Sequence, residues 1–157
     1  MFTITKWNSK AYQEALVLRN ELLKATSGKK QLVEAPLEEQ NDLHLVVKCE
    51  QQVIGTLLLH PIDQKLIQVK QVAIDSAYQR HGIGKQLIQY AEQIASRLGF
   101  SVVFLTGRQQ AWPFYEKLAY EMLAESYQEG QLVLKLFKKE VAIEKQFNPQ
   151  REMKTNG

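Results

Sequence analysis

Apolar side chains recur along the chain in two spacings, and each spacing predicts a different element. Runs of apolar and β-branched residues that partly alternate with polar ones are typical of strands. Apolar residues at steps of three and four line one face of a helix. The predicted elements are, in order, a strand over 2–7, a helix over 11–22, strands over 43–49, 52–59 and 66–74, a helix over 84–98, a strand over 101–105, a short helix carrying Phe114 and Tyr115, and strands over 120–127 and 131–137.

The turn between the strand over 66–74 and the next helix, residues 79–84, reads Gln-Arg-His-Gly-Ile-Gly. Glycine has no Cβ and tolerates positive φ, so Gly82 and Gly84 let the backbone approach a ligand closely. The following helix presents unpaired N–H groups and the positive end of its dipole, which together favour anions such as phosphates. The dinucleotide and nucleoside-triphosphate fingerprints both fail here. A solvated turn is the structural alternative to a phosphate cradle.

A second motif follows at residues 111–120, which read Ala-Trp-Pro-Phe-Tyr-Glu-Lys-Leu-Ala-Tyr. The glycine turn, the next strand and this Phe-Tyr-Glu-Lys-Leu helix resemble, in order and separation, the GNAT superfamily of acyl-CoA-dependent N-acetyltransferases. The resemblance covers roughly residues 2–137 and is nearest to small bacterial single-domain members. Ala119 replaces the glycine that the family usually has after Lys-Leu.

The resemblance implies an α/β fold of the GNAT acyl-CoA N-acyltransferase type, with a mixed central sheet of about seven strands flanked by helices. It implies one acetyltransferase domain over 1–137, followed by an appendage over 138–157 that we expect to be partly disordered. Acetyl-CoA would be the co-substrate, and a small-molecule or peptide amine would attack the thioester directly, without a covalent enzyme intermediate and without a metal.

Site residues follow from the same resemblance. The strand before the glycine turn would splay from the next strand and supply backbone hydrogen bonds to the pantetheine arm, with an N–H near Val72 polarising the thioester carbonyl. Backbone N–H groups of 80–85 would cradle the pyrophosphate, and Arg108 would contact a phosphate or orient the substrate. The implied cofactor-binding residues are Val72, Ala73, Ile74, Gln79, Arg80, His81, Gly82, Ile83, Gly84, Lys85 and Arg108.

Tyr115 is the implied catalytic residue, because a phenol beside the leaving thiolate can act as general acid. A tyrosine that only packs on an amphipathic helix is the alternative. The sequence does not identify the base that takes the amine proton. The available groups are Glu34, Glu38, Glu39, His44 and His60, each of which also has a structural interpretation.

Composition narrows the class of protein further. A single cysteine, Cys49, excludes an internal disulfide framework and favours the cytoplasm. No apolar run is long enough to span a membrane, no secretory signal is expected, and a net charge of +3 is too mild to argue for nucleic acid. A homodimer stays possible. A CoA-binding module without transferase activity is the main rival function, and thiol release from acetyl-CoA with a panel of amines would separate the two.

Overall fold

The computed structural model of the protein describes residues 1–143, which form a seven-stranded mixed sheet with helices on both faces. The strand order is β1-β2-β3-β4-β5-β7-β6, and only β4 and β5 pair in parallel among the strands described. The strands are β1 (Phe2–Thr5), β2 (Leu43–Cys49), β3 (Gln52–Pro61), β4 (Leu66–Ile74), β5 (Val102–Arg108), β6 (Glu121–Glu129) and β7 (Leu132–Glu140). The helices are α1 (Lys10–Arg19), α2 (Ala25–Ser27), α3 (Ile83–Arg97) and α4 (Trp112–Lys117). This architecture confirms the predicted fold class and element order.

Two hydrophobic cores lie on opposite faces of the sheet, because successive side chains of a strand point to opposite sides. Strand β2 shows the division clearly. Leu45 and Val47 belong to the larger core, which contains the buried face of α3 and residues of α4, whereas Val46 belongs to a smaller core under α1. Since both faces are covered, a substrate site has to open between strands or at an end of the sheet.

Helix α1 continues through a π-helical segment, Asn20–Lys24, into α2. The Ser9 side chain caps the start by accepting a hydrogen bond from the Tyr12 N–H at 3.2 Å. Gly28 ends the helical stretch with a left-handed φ of 74°. The π-helical segment was not predicted. Such segments are rare in proteins and frequently mark functional sites.

Strand β4 contains a bulge in its second half. Leu58 of β3 pairs with Lys70 and Thr56 pairs with Ala73, so β4 has one residue more than β3 across this stretch. Gln71 in this stretch has a φ of 59°. The extra residue shifts the alternation, so that Ile67 and Val69 face the larger core while Ala73 faces the smaller one. This shift explains why the apolar residues of β4 alternate only partly in the sequence.

The C-terminal end of the domain differs from the boundary predicted from the sequence. Strand β7 continues past the predicted limit at Phe137, because residues 138–140 pair with 102–104 of β5. The Val141 N–H then donates to the Ser101 carbonyl at 2.9 Å, which ties residues 138–143 to the domain rather than to an appendage. The remainder of the predicted appendage, 144–157, lies outside the described residues. Within residues 1–143, none of the helices combines the length and apolar character needed to cross a bilayer.

Candidate active site

The central parallel pair of the sheet is joined at one end and open at the other. Among the described residues, β4 pairs with β5 only where Leu66–Gln68 lies beside 102–104. Beyond Gln68, β4 stays with β3, while β5 continues along β7. The two strands therefore separate and leave a cleft of about 940 Å³ between them. The cleft is bounded by β4, β5, the segment from the π-helical turn to α2, the start of α4, and the β6–β7 hairpin.

The open edge of β4 presents backbone groups to this cleft. The Asp75 N–H donates to the Ile54 carbonyl on the β3 side at 2.7 Å. Since backbone groups alternate between the two edges of a strand, those of Ile74 and Val72 point to the cleft, whereas Ala73 pairs towards β3. The Gln79 side-chain amide donates to the Ile74 carbonyl at 2.9 Å. Val72, Ala73, Ile74 and Gln79 line the cleft, and the N–H groups of Val72 and Ile74 are left for an extended ligand.

The glycine turn lies next to the end of β4 and starts α3 without a side-chain cap. Arg80 and Gly82 both have left-handed φ values, 68° and 79°. The first bond of the helix joins the Gln86 N–H to the Gly82 carbonyl at 3.1 Å, so the N–H groups of 83–85 precede the intrahelical ladder. Arg80, His81 and Lys85 are exposed. Residues 80–85 do not line the cleft itself, and their role as a phosphate cradle stays a prediction that the uncapped start of α3 favours.

Tyr115 on α4 lies in the cleft wall with 7% of its surface exposed. Its ring packs against Phe137 and Tyr120, with ring centroids 5.5 and 6.2 Å away. Burial raises the pKa of Tyr115 to about 12, against a smaller lowering by the Arg108 charge. The hydroxyl is therefore protonated at neutral pH and available as a donor. The ring therefore packs as the structural alternative expected, and the donor role of the hydroxyl stays a prediction.

Gly107 on β5 makes the position of Tyr115 possible, and the sequence analysis missed it. A Cβ at Gly107 would lie 2.9 Å from Cε2 of Phe137 and 3.2 Å from Cδ2 of Tyr115. Both contacts are tighter than ordinary packing allows, so any larger residue would displace the Tyr115 ring. The neighbouring carbonyl of Gly107 also accepts the Trp112 indole N–H at 2.7 Å, which holds the start of α4.

Arg108 spans the cleft between β5 and the helical stretch. Its guanidinium donates to the Thr26 hydroxyl at 2.9 Å and to the Leu23 carbonyl at 3.0 Å. Desolvation lowers the pKa of Arg108, an effect partly offset by Glu129 and Tyr115. A contact of Arg108 with a CoA phosphate would therefore compete with its hydrogen bonds to Thr26 and Leu23. Of the two predicted roles, this geometry favours orienting the substrate.

Three of the five candidate bases are engaged away from the cleft. Glu39 accepts two hydrogen bonds from Arg19, at 2.7 and 2.6 Å, and one from the Tyr12 hydroxyl at 2.8 Å. His44 is buried with its Nε2 2.8 Å from the Glu39 carbonyl oxygen, and His60 pairs with Asp42 at 2.6 Å. The remaining candidates, Glu34 and Glu38, are exposed and do not line the cleft.

A carboxylate that the sequence did not single out does line the cleft. Glu129, at the end of β6, forms an ion pair with Lys29, which lies 100 residues earlier in the chain. That hydrogen bond, together with the charges of Lys29, Lys24 and Arg108, lowers the pKa of Glu129. The sequence shows no sign of this pair, because Lys29 and Glu129 lie far apart along the chain. Residues 1–143 contain no group of three or more His, Cys, Asp or Glu side chains placed to hold a metal.

Comparisons with known proteins agree with this architecture. A sequence model described as "Acetyltransferase (GNAT) family" matches residues 4–120. The Bacillus subtilis protein YyaT is 28% identical over 106 residues, 68% of this chain and 70% of that protein. Two further curated relatives match over only 41% and 44% of their own length.

Solved structures extend the likeness across the sheet. A crystal structure from Lactobacillus plantarum is 26% identical, with a TM-score of 0.77, and covers 89% of this chain and 98% of that one. An acetyltransferase of Elizabethkingia anophelis with acetyl-CoA bound is 14% identical, with a TM-score of 0.68, and covers 90% of this chain and 97% of that one. Because the sequence identity to the Elizabethkingia anophelis protein is only 14%, that similarity is evidence for the fold alone.

Proposed function

The chain belongs to the GNAT family and is an acyl-CoA-dependent N-acyltransferase, and we propose that it moves the acetyl group of acetyl-CoA to a primary amine by direct attack. The observation that carries the proposal is the unpaired edge of β4, which faces a cleft containing Tyr115. The six residues from Val69 to Ile74 span roughly 20 Å at about 3.3 Å each. That length suits an extended pantetheine arm lying beside the strand as a substitute for β5.

The fit of acetyl-CoA rests on two sets of unsatisfied backbone donors. The first is the cleft-facing edge of β4, where the Val72 N–H would polarise the thioester carbonyl as negative charge develops on its oxygen. The second is the uncapped start of α3 at 83–85, where a pyrophosphate would lie against the positive end of the helix. The acetyl-CoA-bound relative has the same fold, which supports this placement.

Tyr115 would act on the sulfur side of the reaction. The amine nitrogen bonds to the carbonyl carbon, the carbon–sulfur bond breaks, and one proton passes overall from nitrogen to sulfur. With a pKa of about 12, the Tyr115 phenol is a weaker acid than a thiol of pKa about 8.5. Net transfer of its proton would be unfavourable. We infer that the hydroxyl donates a hydrogen bond to the departing thiolate and relays a proton only as another is supplied.

No strong base faces the cleft among residues 1–143, since Glu129 is its only carboxylate and has a lowered pKa. The amine would therefore react in its neutral form, and water would carry its proton away. Under this proposal the acceptor is a small-molecule or peptide amine, and no nucleic acid or membrane partner is proposed. A cytoplasmic location and a homodimer remain predictions.

Two measurements on the purified protein test the proposal. Thermal unfolding with acetyl-CoA should show stabilisation, by about 2.7 kcal/mol at a concentration 100 times the dissociation constant. Thiol release from acetyl-CoA should then accelerate with at least one member of a broad amine panel. Stabilisation without amine-dependent thiol release would favour a CoA-binding module, and absence of both would contradict the proposal.

A further inference from the structure

One end of the cleft carries an excess of positive charge. This cation-rich end consists of Lys24, Lys29, Arg108 and Glu129, where the helical stretch faces the β6–β7 hairpin. The opposite end contains Ser76 and adjoins the glycine turn. If the pyrophosphate lies at the turn, the cation-rich end is left for the acceptor.

The charges at this end are not balanced by the residues around them. Glu129 is paired with Lys29, which uses the one carboxylate that lines the cleft among the described residues. Arg108 donates to a hydroxyl and a carbonyl, which stabilise its orientation without neutralising it. Lys24 is half-buried and forms no ion pair within residues 1–143. Lys24 and Arg108 therefore face this end of the cleft without an anion of their own, and Lys70 of β4 adds a further cation to the cleft wall.

The electrostatic environment of Lys24 is consistent with an unfilled anion position. Partial burial and the charges of Lys29 and Arg19 lower the pKa of Lys24, and the carboxylates Glu39 and Glu129 offset this only in part. An anion entering beside Lys24 would remove that repulsion. Arg108 follows Gly107, where a Cβ would lie 3.2 Å from Cδ2 of Tyr115, so the cationic end lies close to the proposed reaction centre.

We propose that the acceptor is an amine that carries a carboxylate close to its amino group, as an amino acid does, and that Lys24 and Arg108 bind this carboxylate. This inference rests on the proposed acetyltransfer. The short separation follows because Arg108 adjoins Gly107, which packs against the Tyr115 ring, and donates to the Leu23 carbonyl beside Lys24. Polyamines and other polycationic acceptors would be repelled by the same charges.

The test compares matched acceptors on matched variants. Steady-state rates with acetyl-CoA are measured for a panel of amino acids and for their carboxamides, on the parent, Lys24→Gln, Lys24→Arg and Lys10→Gln. Lys10 is an exposed cation at the start of α1, far along the helix from the cleft, and serves as the charge-matched control. The carboxylate preference is the ratio of kcat/KM for each acid to that of its amide.

The parent should prefer the carboxylate by about tenfold or more, as expected for a partly desolvated charge pair. Lys24→Gln should reduce that preference about fivefold to tenfold, whereas Lys24→Arg and Lys10→Gln should keep it. Dividing the ratio of each variant by that of the parent cancels the difference in intrinsic reactivity between the two amines. The KM for acetyl-CoA should stay unchanged in all four proteins.

Several results would overturn the inference while leaving acetyltransfer intact. One is a higher kcat/KM for carboxamides, or for a polyamine such as cadaverine, than for the amino acids. Another is an equal decrease in kcat/KM for acids and amides in Lys24→Gln, and a third is a raised KM for acetyl-CoA, which would assign the cations to CoA phosphates. Better turnover of phosphoethanolamine than of any amino acid would replace the carboxylate with a phosphate and would also contradict the proposal. Failure of every amine would instead contradict the proposed function.

Discussion

Two charged clusters lie five residues apart on the same helical stretch and differ in how their charges are matched. In the first, Arg19 is 3% exposed, and Glu39 accepts bonds from it and from Tyr12. In the second, Lys24 and Arg108 face the cleft, and the single carboxylate Glu129 is half-exposed. The first cluster fixes the connection between α1 and β2, while the second has more cations than carboxylates, which is the basis of the acceptor site proposed above. The two clusters use the same residue types and differ in burial and in the number of cations per carboxylate.

Breaking the buried pair should have the largest effect on stability. Glu39→Gln leaves the Arg19 guanidinium buried without its carboxylate, and we expect a loss of about 3–5 kcal/mol in the free energy of unfolding. Glu129→Gln removes a carboxylate of the same type from a half-exposed pair and should cost at most about 1 kcal/mol. Urea denaturation of both variants measures the difference. Equal losses would remove the distinction between the clusters.

Tyr115→Phe should reduce turnover rather than stability. The ring contacts with Phe137 and Tyr120 survive the change, and only the hydroxyl is lost. Because the hydroxyl donates a hydrogen bond to the departing thiolate rather than transferring its proton outright, the effect should lie at or below the lower end of general acid catalysis, a decrease in kcat of about 100-fold or somewhat less. The affinity for acetyl-CoA should remain. An unchanged kcat across the pH range would reduce Tyr115 to a packing residue.

Gly84→Val should weaken acetyl-CoA binding, with Gly84→Ala as its matched control. A Cβ at Gly84 would lie 3.4 Å from Cζ of Phe114, an ordinary contact, so alanine fits the protein without strain. The two extra methyl groups of valine would obstruct the approach of a phosphate to the first turn of α3. We expect a rise in the dissociation constant of about tenfold for valine and little change for alanine. If both variants bound acetyl-CoA like the parent, the assignment of the turn as a phosphate cradle would be wrong.

The smallest expected effect is a dependence of the free energy of unfolding on pH, which originates in the buried groups around Glu39. Burial lowers the pKa of His44, against smaller opposing effects of the Glu39 carbonyl and of nearby carboxylates. The unfolded chain therefore binds a proton more readily, and stability should fall as the pH drops below about 6.5, by at most about 1.4 kcal/mol per pH unit.

Glu39 adds to this dependence at lower pH. Burial would raise the pKa of Glu39, but the hydrogen bonds and charge of Arg19 outweigh it and lower the pKa overall. Its contribution is present above about pH 4.5 and is lost as the pH falls further. In His44→Gln, the free energy of unfolding measured by urea denaturation should change less between pH 6.5 and 5.5 than it does in the parent. A parent-like slope in that variant would assign the dependence to other groups.

The sequence predicted the sheet, the element order and the glycine turn, because apolar spacing and turn residues act locally. It did not predict the bulge at Gln71, where one extra residue shifts the alternation of β4. It also missed Gly107, whose need for a small side chain arises from Phe137 and Tyr115 packing over it. The Lys29–Glu129 pair depends on two segments that only the folded sheet brings together. Long-range contacts therefore define the cation-rich end of the cleft.

Amide hydrogen exchange at β4, resolved by residue with and without acetyl-CoA, tests whether the co-substrate lies along the open edge of this strand. We expect slower exchange at Val72 and Ile74, whose N–H groups face the cleft, and little change at Ala73 and Ile67, which are buried within the sheet. Unchanged exchange at Val72 and Ile74 under saturating acetyl-CoA would contradict the placement of the co-substrate along the open edge of β4.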